Sequence, residues 1–123
     1  MRTIELLDLY KNKFTCLPLS ESSLIVYAPY YLPNGDNYPL QLSVTENEVC
    51  LTAEGEMSKV FEEYNFVVDS YKLEIDIVLV KYGMTYSNGV FELKCNEEEL
   101  NYAISSYFQA LSTIFNLKEV KNG

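Results

Sequence analysis

The residues from Tyr38 to Tyr64 constrain the fold more than any other stretch of this chain. Leu40, Leu42 and Val44 alternate with Pro39, Gln41 and Ser43, which predicts a half-buried strand over Tyr38 to Val44. Glu46-Asn47 forms a tight turn, and Glu48 to Thr52 is the returning strand, in which Val49 and Leu51 alternate likewise. No loop separates that strand from Ala53-Glu54-Gly55-Glu56, where a helix starts. Thr52 is placed to cap it, and Glu54 and Glu56 suit its N-terminal end. Met57, Val60, Phe61 and Tyr64 recur at helical spacing and form its core face.

The rest of the chain extends this motif in both directions. Thr3 caps an expected first helix with Ile4, Leu7 and Tyr10 on one face. Phe14 to Leu19 is short, and Pro18 demotes it to a sheet edge or a linker. Leu24-Ile25-Val26-Tyr27 is β-branched and aromatic, as strands prefer. Leu32-Pro33-Asn34-Gly35-Asp36-Asn37 is the strongest turn signal in the chain. Three strands with short links imply an antiparallel meander. Leu73 to Val80 fits two periods. Leu73, Ile75, Ile77 and Leu79 alternate like a strand, yet Asp69 or Ser70 can cap a helix and Gly83 can stop one. A buried helix is the expectation here. Asn88-Gly89 between Met84–Tyr86 and Val90–Lys94 marks a hairpin with a primed turn. Asn96-Glu97-Glu98-Glu99 has the form of a capping box. Leu100, Ala103, Ile104, Tyr107, Leu111 and Ile114 then continue one apolar stripe to about Asn116, before a fraying tail from Leu117 to Gly123. The expected order is α-β-β-β-α-α-β-β-α in one domain. It is an α+β fold, with a three-strand meander and a small hairpin packed against helices.

Charge narrows the function. Eighteen acidic and nine basic residues leave a formal charge of -9. Nucleic acid and anionic membranes both need a basic surface, so neither is an expected direct partner. A partner with a basic face is. No apolar run approaches the roughly 20 residues that cross a bilayer. Cys16, Cys50 and Cys95 are odd in number and widely spaced, as reduced thiols in a cytosolic protein would be.

Histidine is absent, so a Ser-His-Asp triad, a Cys-His pair and His-ligated zinc are excluded. No phosphate-cradling glycine loop is present. Cys50 as a nucleophile would need an electropositive setting, and Glu54 has the wrong sign. Asp36, Glu46, Glu48, Glu54 and Glu56 could converge near the first hairpin, either as a solvated acidic face or as a divalent-cation site. Eleven tyrosines add a second signal. Tyr27, Tyr30, Tyr31 and Tyr38 surround the Pro33–Gly35 turn, where such rings either pack over the sheet or anchor a partner.

Pro29-Tyr30-Tyr31, then Asn34-Gly35-Asp36, an alternating strand and Leu51-Thr52-Ala53-Glu54-Gly55 together resemble domain-of-unknown-function family 1828 of bacteria and prophages. Its members carry a threonine-proline-aromatic segment, a Gly-Asp turn and a Leu-Thr-Asp-Asp-Gly motif before a helix. The likeness spans roughly residues 20 to 116. Ala28 stands where the family has threonine, and Ala53-Glu54 where it has Asp-Asp, which favours a structural motif over an active site. The resemblance implies a small prophage accessory protein and no particular reaction.

These readings converge on a non-enzymatic acidic protein without a cofactor, acting in the cytoplasm of a bacterial host. It would block a host protein's basic nucleic-acid-binding surface by charge mimicry, as an anti-CRISPR-like inhibitor of a defence system. Its expected contact residues are Tyr30, Tyr31, Asp36, Tyr38, Glu46, Glu48 and Glu54. Two rivals stand beside it. One is a divalent-metal hydrolase or nuclease using the acids near Glu54. The other is a homo-oligomer, a homodimer for example, in which the last helix buries surplus apolar surface.

Overall fold

The computed structural model describes residues 14–45, 48–53 and 56–118. The expected first helix at Thr3 and the Glu46-Asn47 turn lie outside those residues. So does Glu54-Gly55, on which the capping role of Thr52 turns. The described strands are β1 (Thr15–Pro18), β2 (Ser23–Tyr27), β3 (Gln41–Val44), β4 (Val49–Thr52), β5 (Thr85–Ser87) and β6 (Val90–Cys95). The helices are α1 (Glu56–Glu63), α2 (Lys72–Tyr82) and α3 (Leu100–Phe115). Short 3-10 turns at Val68–Tyr71 and Glu97–Glu99 lead into α2 and α3. The fold is α+β, as the sequence predicts.

All six strands form one antiparallel sheet, ordered β1-β2-β3-β4-β6-β5. The meander therefore gains an edge strand, β1, which pairs with β2 and ends at Pro18, where a missing N–H does no harm. The small hairpin is no separate unit, because β6 pairs with β4. Regular pairing in β3 starts at Gln41 rather than Tyr38, since Pro39 has no N–H to give. Leu24, Leu42, Leu51 and Leu93 lie level across four neighbouring strands and form a leucine row on the core face. Alternation with period two puts Ile25, Gln41, Ser43, Cys50, Glu92 and Lys94 on the opposite face.

Helix α3 fills the centre of the helical layer. Leu100, Ala103, Ile104, Tyr107, Phe108, Ala110, Leu111 and Ile114 are all buried, and the Tyr107 hydroxyl donates to the Pro39 carbonyl at 2.8 Å. Asn96 caps its leading turn as expected. Asn96 Oδ1 accepts from the Glu99 N–H at 3.1 Å, and Asn96 Nδ2 donates to Glu99 Oε1 at 2.8 Å. At the far end the tail is not frayed where it begins. Lys118 Nζ donates to the carbonyls of Tyr64 and Asn65 at 3.2 and 3.3 Å, a cation on the C-terminal end of α1.

The hairpin is docked through its turn. Asn88 and Gly89 have φ of 52° and 81°, the positive pair of a type I′ turn. Ser58 Oγ, from α1, donates to the Gly89 carbonyl at 2.7 Å. A Cβ on Gly89 would lie 2.9 Å from that same oxygen. Gly89→Ala should therefore cost about 2 kcal/mol, from left-handed strain plus a displaced Ser58. In a Ser58→Ala background the same change should cost only the strain. Urea unfolding of the four proteins gives the coupling, and additive costs would refute the docking contact.

Candidate interaction surface

The Pro33–Gly35 turn is held in place by local bonds and by α3. Asn34 Oδ1 accepts from the Asp36 N–H at 2.9 Å, and Asn34 Nδ2 donates to Asp36 Oδ2 at 3.0 Å. Gly35 supplies the required φ of 93°. The Tyr30 ring stacks on Phe108 at 4.4 Å, and the Tyr38 ring meets Phe115 edge-on at 6.2 Å. Tyr38 is only 5% exposed, and burial raises its hydroxyl pKa. Two of the three expected aromatic anchors thus serve the core, because α3 presents two phenylalanines beneath the loop. Tyr31 is the one left outward, at 61% exposure.

Of the acids expected to converge near the first hairpin, Asp36 and Glu48 lie at opposite ends of it. Asp36 precedes β3 on the side where Gln41 pairs with Thr52. Glu48 lies beyond the other end, where Val44 pairs with Val49. Glu46 and Glu54 are outside the described residues. A different acidic group forms instead. Val49 pairs with Cys95, so Glu48 comes level with Asn96 at the start of the α3 cap. Glu97, Glu98 and Glu99 follow at once, and all three are exposed, as is Glu48. The Cys95 thiol feels this directly. Burial, then Glu99 and Glu48, push its pKa from 9.0 up to about 11. On the outer sheet face Glu92 lies nearby and pairs with Lys94 at 3.5 Å.

Burial, helped at Cys50 and Cys95 by nearby carboxylates, also silences the thiols. Cys50 is pushed up to about 12, first by burial and then by the Glu92 carboxylate. Burial raises Cys16 too. None of the three is a thiolate near pH 7, and Cys50 is no nucleophile. A thiol pKa raised in the folded state gives stability that is intact below the unfolded value and lost as pH rises through the folded one. Stability should therefore fall between about pH 9 and pH 12. Cys50→Ser should lessen that fall, and urea midpoints measured across this range check it. An unchanged slope would contradict the thiol assignment.

Among the described residues no three His, Cys, Asp or Glu side chains are grouped to hold a metal ion. Among the same residues no helix is long and apolar enough to cross a membrane. Sequence reading assigns Asn96-Glu97-Glu98-Glu99 to a capping box, and the bond from the Glu99 N–H to Asn96 Oδ1 bears that out. It misses their second property, the company of Glu48, because β4–β6 pairing joins residues as far apart as Val49 and Cys95 and leaves no local signal. Comparison with protein-family models, curated proteins and solved structures finds no match to this chain.

Proposed function

We propose that this chain is a non-enzymatic binding protein that engages a basic surface on another protein. The observation that supports it is the meeting of Glu48 with Glu97, Glu98 and Glu99 at one end of the sheet. Lys94 is the basic neighbour on that side, and it is paired with Glu92. A frame that places four exposed glutamates at one end of the sheet offers a substitute for a run of phosphates. Lysine and arginine side chains that hold nucleic acid would accept it, with fast, salt-sensitive association. The sharper form of the proposal is inhibition of a host nucleic-acid-targeting defence protein in a bacterial cytoplasm. The sequence resemblance supplies that phage context, and the acidic end supplies the chemistry. Tyr31 and Asp36 lie at the other end of β3 and are not part of this surface.

The test uses a lysine- and arginine-rich peptide as the probe. Titrated at low salt into isotopically labelled protein, it should shift the amide signals of Glu48 and of residues 92–99. Raising salt to 0.5 M should remove most of the effect, since the Debye length falls to roughly 4 Å. Shifts spread evenly over the surface, or centred on Tyr31 and Asp36, would overturn this site.

A further inference from the structure

Helix α2 is apolar on two sides. Ile75, Val78 and Leu79 face the core, as a helix packed on α3 requires. Leu73, Ile77 and Val80 face solvent, at 72, 64 and 84% exposure. Their spacing of four and then three residues is the narrow seam that one helix presents to another. It accounts for the double periodicity of this segment in the sequence. It also relocates the surplus apolar surface, which lies on α2 and not on the buried last helix. An exposed apolar seam of this kind, on a helix whose other side is already packed, marks an interaction site.

We infer that this seam joins two copies of the chain, with their α2 helices antiparallel about a two-fold axis at Ile77. Three observations select a second copy. The first is charge. The chain carries -9, yet Lys72, Glu74, Asp76 and Lys81 make α2 neutral overall. Two strongly acidic molecules can approach through this face with the least repulsion. The second is self-complementarity. Leu73 lies four residues before Ile77 and Val80 three residues after it. At about 1.5 Å rise per residue, a two-fold axis at Ile77 brings Leu73 of one copy within one residue, about 1.5 Å, of Val80 of the other, so the two side chains can pack together. The third is size. Three exposed apolar side chains from each copy make a small, self-matched interface, as a weak dimer has and a permanent one does not. The dimer is therefore concentration-dependent and not obligate. It uses none of the acidic residues invoked above, so it does not rest on the function proposed there.

One element opposes the pairing. Asp76 flanks Ile77 and faces its own copy across the axis. Salt should therefore strengthen the dimer, the reverse of its effect on binding to a basic partner. Sedimentation equilibrium between about 5 and 500 μM tests this. The mass should rise from 14.2 kDa towards twice that value, and more readily at 0.5 M salt. Asp76→Asn should tighten the dimer severalfold. Ile77→Glu should weaken it more than tenfold while leaving the circular dichroism spectrum unchanged, because the side chain is exposed. A mass that stays at 14.2 kDa throughout, or a dimer undiminished in Ile77→Glu, would overturn the inference.

Discussion

Phe61→Ala should destabilise the protein by about 3–5 kcal/mol, the upper range for a buried aromatic. Phe61 projects from α1 into the core, and its ring is the point where four separate segments meet. Phe66 stacks on it at 4.6 Å, from the loop that follows α1. Phe91 of β6 meets it edge-on at 5.9 Å, and Phe115 at the end of α3 lies 6.4 Å away. Removing the ring opens a cavity bordered by three other rings, and stiff aromatic walls collapse poorly into such a space. Each ring pair adds about 0.5–1.5 kcal/mol beyond its buried area. A domain of this size holds roughly 5–15 kcal/mol in all, so the loss is a large share of the total. Urea unfolding should show a much lower midpoint at an unchanged slope. Phe61→Leu should cost far less, because it keeps most of the volume. Equal costs for the two variants would overturn the cavity argument and mean that the aromatic contacts carry the whole loss.

That cluster shows which parts of the fold were legible in the sequence. Met57 and Phe61 could be placed on a buried helix face because their spacing is local. So could the Asn88-Gly89 turn and the Asn96 cap, each of which is decided within four residues. The assembly of the sheet was not legible. Nothing near Val49 or Cys95 announces that β4 and β6 pair, and that pairing creates both the leucine row and the acidic end. The α2 segment was half legible. Gly83, with φ of 70°, stops the helix, and the Met84 N–H closes on the Leu79 carbonyl at 2.9 Å, as the glycine signal suggests. The exposure of Leu73 and Ile77 was not, since β-branched and leucine residues normally mean burial. The tyrosines misled in the opposite sense. Beside a Pro-Asn-Gly turn they suggest a surface, but Phe108 and Phe115 of α3, far along the chain, draw Tyr30 and Tyr38 inward.

Reversing three charges at the acidic end should have the largest functional effect. The combined change Glu48→Lys, Glu97→Lys and Glu98→Lys should weaken binding to the lysine- and arginine-rich peptide at least about 100-fold at low salt, given the coupling energies of close interfacial charge pairs. Glu99 is left out because its side chain accepts from Asn96 in the cap, and its loss would confound folding with binding. Glu97 and Glu98 also sit at the positive end of the helical segment that α3 completes. Their reversal should cost about 1–2 kcal/mol of stability through the helix dipole. The matching glutamine variant separates the two effects. It removes the negative charge without adding a repulsive one, so binding should fall by about tenfold with little loss of stability. Asp36→Lys changes the net charge by the same amount per residue, but at the opposite end of β3. It should slow association slightly and leave the affinity within about threefold. If Asp36→Lys weakened binding as much per charge as the triple variant, overall charge and not a placed surface would be the cause.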